Sequence, residues 1–119
     1  MTGKDLYILA SATLYEGDGE DLDSKRFSVH FLNILLQEAL NAENSLRAAE
    51  GGEILLSAPL LTDLDTEIPY HDSIVRGALP YGLAWQYRQE AMDNYWATVY
   101  RNLFTEALQN AAAFTWVTI

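Results

Sequence analysis

The feature that most constrains the fold of this 119-residue chain is a long helical pattern from about Lys25 to Ala49. Apolar residues recur there at intervals of three and four, which is the period of an α-helix. The first apolar stripe comprises Phe27, Phe31, Ile34, Leu35, Ala39, Ala42 and Leu46, and the second comprises Val29, Leu32, Leu36 and Leu40. A helix with so wide an apolar surface must be buried against neighbouring elements on more than one side. The pattern therefore predicts a helix through the centre of the domain, with burial against a second subunit as the alternative.

A second informative segment, from Ile68 to Trp85, contains two prolines and two glycines. Pro69 suits the first turn of a helix, because the N–H that it lacks would have no helical partner there. Four residues then recur at helical spacing and share one face: Ile74, Ala78, Tyr81 and Trp85. Proline inside a helix is costly. We therefore expect a helix over residues 69–91 that bends near Pro80.

Shorter elements surround these two helices. Residues 4–15 read as a short helix, and residues 93–113 read as a fourth helix with a stripe of aromatic and aliphatic residues. Residues 16–23 form a loop rich in glycine and acidic residues. Residues 53–61 look extended, and Pro59 confines them to an edge strand, a turn or a loose hairpin.

The last six residues, 114–119, are all β-branched or aromatic and carry no charge, which predicts an extended segment. Two interpretations stay open. The segment packs as a strand on its own domain, or it is an arm that adds a strand to a neighbour's sheet edge. In the second case the assembly residues are Phe114, Trp116, Val117 and Ile119.

These elements together predict a mainly α fold. We expect one domain over residues 1–119, built as a small four-helix bundle with a short extended or β-hairpin segment and an extended C-terminal arm.

The charge balance argues against nucleic-acid binding. The net charge is −10, and the seven basic residues are scattered, with only Lys25 and Arg26 adjacent. Duplex binding needs clustered Lys and Arg to neutralise phosphates. The simplest interpretation is a well-solvated acidic surface. The alternative is a wall that DNA passes without sticking to it.

Several classes of chemical site are also disfavoured. The chain has no cysteine, so disulfides and thiolate catalysis are excluded. The acidic loop over residues 16–23 fails the calcium-loop pattern, since position 6 is Asp21 and position 12 is Phe27. His30 and His71 lack zinc-helix spacing. We expect no catalytic residue, no cofactor and no metal. The short apolar stretch near the N-terminus is too short to span a bilayer.

The order of these segments resembles that of bacteriophage head–tail connector proteins, also called adaptor or neck proteins. The resemblance rests on Ile68-Pro69, on Ala78-Leu79-Pro80-Tyr81-Gly82-Leu83-Ala84 and on residues 95–107, and it covers most of residues 6–110. It implies a small helical bundle without catalytic residues. It also implies assembly as a homo-oligomeric ring of about a dozen copies.

The resemblance further implies a location and partners. The protein would be made in the cytoplasm of the bacterial host and placed at the head–tail junction of the virion. It would contact the portal protein and the next neck or tail completion protein. Double-stranded DNA would pass through the ring without specific binding, and no membrane would be involved. The alternative is a cytosolic helical adaptor or regulator without catalytic activity, and an enzyme subunit ranks last.

Overall fold

The computed structural model describes residues 1–13 and 22–118, with the side chains of residues 1–10 and 27–112. The described elements are α1 (Gly3–Thr13), α2 (Leu22–Ala49), α3 (Asp72–Val75), α4 (Leu79–Glu90) and α5 (Asn94–Thr118). The prediction of a mainly α fold is confirmed. Most of the predicted acidic loop, residues 16–21, lies outside the described residues, while residues 22 and 23 begin α2.

Helix α2 packs against α1, α3, α4 and α5, and α4 likewise packs against all four other described helices. Leu32, Leu35 and Leu36 are fully buried. The buried apolar surface of α2 is narrower than the sequence suggests, since Phe27 and Ile34 are 45% and 49% exposed. Both residues belong to the predicted first stripe, which is therefore only partly buried.

Helices α4 and α5 form an antiparallel pair that closes the core against α2. Gly82 allows this close approach, because a Cβ there would lie 2.7 Å from Leu35 Cδ2 and 3.1 Å from Phe104 Cδ1. At the other end of α4, the Tyr87 ring packs edge-on against the rings of Tyr7 and Phe31. Three helices therefore meet around the C-terminal half of α4.

The predicted single bent helix over residues 69–91 is wrong, because the helix is broken rather than bent. Pro80 lies in the first turn of α4, where its missing N–H leaves no helical bond unmade. Gly77 lies in the turn before it, where a Cβ would collide with the backbone carbonyl of Ser73. The proline thus starts a new helix, and the glycine permits the tight turn between α3 and α4.

The predicted β-hairpin over residues 53–61 is not found. The only β-pairing in the described residues is an isolated bridge between Thr2 and Glu67. Residues 53–61 instead lie along α2, where Asn44 exchanges two hydrogen bonds with the backbone of Leu55, at 2.8 and 2.9 Å. Asn33 does the same with Leu61, at 2.8 and 3.0 Å. These side-chain amides take the place that a partner strand would occupy.

The predicted extended arm also differs from the structure. Helix α5 continues to Thr118, so Phe114, Trp116 and Val117 lie in its last turns. Three alanines at 111–113 precede them, and strong helix formers favour propagation of a helix that is already formed. β-propensity depends on sheet partners, which this segment does not have in the described structure. Ile119 lies outside the described residues.

Candidate functional site

The segment Ile68–His71, here called the strap, crosses α2 just before α3. Its side chains Ile68 and Tyr70 are buried, and Pro69 between them is exposed. The Tyr70 hydroxyl donates a 2.7 Å hydrogen bond to the carbonyl of Leu36 on α2. Because Pro69 has no N–H, the strap needs no hydrogen-bond acceptor for the backbone nitrogen at that position.

Glu43 is the residue of α2 that fixes the strap most directly. Its side chain is fully buried, and a buried carboxylate requires charged or hydrogen-bonding partners. Arg47 Nε donates to Oε2 at 2.7 Å, and the backbone N–H of His71 donates to Oε1 at 2.7 Å. The Nδ1 atom of His71 lies 2.8 Å from Oε2. Glu43 therefore joins α2 to the end of the strap.

Arg47 makes a second connection between the same two elements. Its Nη2 donates a 2.7 Å hydrogen bond to the carbonyl oxygen of Pro69, while its Nε is paired with Glu43. One planar guanidinium thus holds a buried carboxylate and a strap carbonyl at once.

The imidazole of His71 lies between the carboxylate of Glu43 in α2 and that of Glu50, the residue that follows α2. Its Nδ1 faces Glu43, and its Nε2 lies 2.9 Å from Oε2 of Glu50. The hydrogen bond with Glu50 raises the pKa of His71 above 6.5, burial opposes this, and Glu43 raises it further. Glu43, Arg47, Glu50 and His71 are called the Glu43 cluster below.

Tyr70 stays neutral beside this cluster. Burial, followed by the nearby Glu43 charge, raises the pKa of Tyr70 to about 12. The phenol therefore remains a hydrogen-bond donor to Leu36 over the whole physiological pH range.

The geometry of the Glu43 cluster suits anchoring better than catalysis. Both ring nitrogens of His71 are engaged with carboxylates, so neither presents a lone pair to a substrate. A shallow depression of about 240 Å³ beside the cluster is lined by Glu43, Arg47, Pro69, Tyr70 and His71, without a serine or threonine nucleophile. Within the described ranges, no three His, Cys, Asp or Glu side chains form a metal-binding group.

Sequence reasoning missed this cluster. It placed His71 in a helical first turn and found no partner for it, because Glu43 is 28 residues away in the chain. One signal was available, since Glu43, Arg47 and Glu50 follow each other at i, i+4 and i+7. Such a charged stripe on a largely apolar central helix indicates a polar contact with another element.

Two patches of exposed apolar side chains are further candidate sites, in this case for contacts with other molecules. The loop patch, formed by Ile54, Leu56 and Leu60, lies on the segment held by Asn33 and Asn44, and Leu56 is 95% exposed. The elbow patch, formed by Met92, Tyr95 and Trp96, lies at the turn between α4 and α5, and Met92 is 86% exposed.

The two patches lie on different elements. Asn33 and Asn44 are three helical turns apart and hold the loop patch on one face of α2. Leu35, which faces Gly82 of α4, follows Asn33 by two residues, which is about 200° around the helix. The loop patch is therefore on a different face of α2 from α4, whereas the elbow patch is at the turn between α4 and α5.

Met92 has a backbone conformation that is unusual for its side chain. Its φ is +59°, in the left-handed region. The N–H of Met92 donates to Gln89 O at 3.1 Å, and the N–H of Asp93 donates to Arg88 O at 2.9 Å. This is the Schellman ending of a helix, in which glycine usually occupies the position of Met92. A large apolar side chain is therefore exposed at a position where its backbone conformation is strained.

The predicted assembly residues Phe114, Trp116 and Val117 are placed by the backbone of α5 alone. Their role in assembly stays a prediction. No helix in the described ranges has the length and apolar character needed to cross a membrane. No protein-family model, curated protein or solved structure matches this chain.

Proposed function

We propose that this chain is a non-catalytic structural protein of the bacteriophage head–tail junction. Copies would form a ring beneath the portal, extend the DNA channel and provide the docking surface for the next neck or tail protein. The resemblance of residues 68–69, 78–84 and 95–107 to connector proteins supports the proposal, and the helical fold is compatible with it.

The observation that carries the proposal is the elbow patch, with Met92 held at a strained position and 86% exposed. Left-handed backbone costs a residue with a side chain about 1 kcal/mol or more, so glycine would give a more stable turn. An exposed methionine that the fold does not need is best explained by a contact with another molecule.

The presence of two separated apolar patches supports a ring rather than a two-fold dimer. A head-to-tail ring needs two different surfaces on each copy, whereas a two-fold dimer pairs one surface with itself. In the proposed ring, the loop patch of one copy lies against the elbow patch of the next. Asn33 and Asn44 would keep the loop patch in place, because their side-chain amides hold the backbone of Leu61 and Leu55 against α2.

The distribution of charge supports passage of DNA without binding. The net charge is −10. Three arginines that the structure describes are paired with carboxylates: Arg47 with Glu43, Arg88 with Asp93 and Arg101 with Glu38. Paired guanidiniums offer little positive potential to phosphates.

Gene disruption with complementation tests the proposal. In the phage or prophage that encodes the chain, loss of the gene should give heads and free tails that do not join. Complementation with Met92→Asp or Leu56→Asp should fail, because a charge within either patch opposes burial. Gln37→Glu adds a charge at an exposed position of α2 outside both patches, and it should restore complete virions.

Complete virions without the gene would overturn the assignment and favour the adaptor alternative. Full rescue by both aspartate variants would overturn the assigned role of the patches.

A further inference from the structure

His71 is positioned so that its contacts depend on its charge. Each ring nitrogen faces a carboxylate oxygen, Nδ1 that of Glu43 at 2.8 Å and Nε2 that of Glu50 at 2.9 Å. A neutral imidazole has only one N–H and can donate to one of them. Only the doubly protonated ring satisfies both contacts.

We infer that the doubly protonated His71 latches the strap to α2, and that raising the pH releases this latch. The inference concerns the fold and does not rest on the proposed function.

The two contacts differ in how they respond to loss of the proton. Glu43 is fully buried and held by Arg47, so it cannot turn away, and Nδ1–H stays its donor. The Glu50 side chain is 64% exposed and can move into water. Deprotonation therefore leaves the Nε2 lone pair facing a carboxylate, and the Glu50 contact is the one that opens.

The charged and titratable groups around His71 come from two elements. Helix α2 and the residue that follows it contribute Glu43, Arg47 and Glu50, and the strap with the first residue of α3 contributes Tyr70 and Asp72. Histidine is the side chain whose ordinary pKa lies between pH 5 and 8. Tyr70 stays neutral in this range, since its pKa is raised to about 12. A transition near neutral pH is therefore assigned to His71.

The direction of the pH dependence follows from the raised pKa of His71. The hydrogen bond with Glu50 raises this pKa most, burial lowers it, and Glu43 raises it further. The folded chain holds the proton more tightly than the unfolded chain does. The latch contributes fully to the free energy of unfolding below pH 6.5, the ordinary pKa of histidine. This contribution is lost as the pH rises through the higher pKa of the folded state. Stability from this source therefore falls with increasing pH.

NMR titration with amide hydrogen exchange tests the latch in the full chain. The imidazole of His71 should titrate above 6.5. Protection of the His71 amide should fall between pH 6 and pH 9 after correction for base catalysis, because loss of the Glu50 contact makes opening of the strap from α2 easier. In Glu50→Gln, the titration midpoint should fall and the pH-dependent loss of protection should shrink.

Two further variants complete the test. His71→Gln should remove the pH-dependent loss of protection at the strap amides. His30→Gln, at an exposed position of α2, should leave it unchanged. Titration of His71 at or below 6.5 would overturn the inference, as would equal loss of protection in Glu50→Gln and the unmodified chain. Glu50 is largely exposed, so its variant remains informative even if His71→Gln does not fold.

Discussion

Glu43 shows how one buried charge can organise a connection. It accepts hydrogen bonds from Arg47 and His71, and all three groups lose part of their hydration in the folded state. Attraction between buried charges is offset by this desolvation, so the cluster adds little net stability compared with apolar residues of the same shape. Its effect is to define one position for the strap.

We predict that Glu43→Gln lowers the free energy of unfolding by about 3 kcal/mol, because Arg47 and His71 lose their shared counter-charge. Urea unfolding at pH 6 measures the change. Glu38→Gln is the matched control, since Glu38 lies on the same helix in a partly exposed pair with Arg101. It should cost less than about 1 kcal/mol. Equal effects of the two variants would contradict the anchoring role of Glu43.

Met92 supplies a second prediction at the level of one residue. Met92→Gly should raise the free energy of unfolding by about 1 kcal/mol, because glycine adopts a φ of +59° without steric cost. Ala91→Gly, at φ −79° in the same turn, should lower it slightly. Thermal unfolding of both variants measures the difference. A less stable Met92→Gly protein would show that the methionine supports the fold itself.

Among the elements, the break between α3 and α4 determines where the strap ends and the core helix pair begins. Pro80 starts α4, and Gly77 allows the chain to turn back past Ser73. Without this break, a single helix would carry residues 72–90 along one axis. The strap could then not reach α2 while α4 packs against α1 and α5.

Gly77→Ala tests this element directly. A Cβ at Gly77 would collide with the Ser73 backbone, which cannot move aside as a side chain can. We predict a loss of about 2 kcal/mol in the free energy of unfolding, measured by urea denaturation. Gly52→Ala is the control, because the added Cβ there meets only Arg47 O at 3.5 Å, an ordinary contact. A neutral Gly77→Ala would mean that the turn tolerates other geometries.

Local patterns predicted much of the helical fold, since the periodicity of α2 and α5 is strong and α2 packs against every other described helix. They could not predict how much of the apolar surface of α2 is buried. Phe27 and Ile34, which were expected to be buried, are partly exposed. Pro80 was recognised as disruptive, but its position within the first turn of a new helix depends on the turn at Gly77. The contact of Glu43 with His71 joins residues far apart in the chain, and only the three-dimensional path brings them together.

At the scale of the whole molecule, the chain combines strong negative charge with exposed apolar surface. The charge of −10 disfavours unspecific contact with nucleic acid and with other copies. The loop and elbow patches favour contact at two defined places. In the proposed ring, apolar burial at the two patches would have to exceed the repulsion between copies.

This balance predicts a dependence on salt. If copies of the chain associate through the two patches, raising the ionic strength should screen the repulsion and strengthen self-association. Sedimentation velocity at low and high salt measures this effect at one protein concentration. Leu56→Asp should abolish the salt-induced association, whereas Gln37→Glu should retain it. Association that weakens with salt would indicate that ion pairs, not apolar patches, hold the copies together.

Cryo-electron microscopy of virion necks tests the proposed ring directly, in the phage or prophage that, under the proposed function, encodes this chain. We predict a ring of copies directly beneath the portal, with density for α2 and for the α4–α5 pair in each subunit. The elbow patch of one copy should contact the loop patch of the next. A complete neck formed by other proteins, with this chain absent from the particle, would contradict the proposed function.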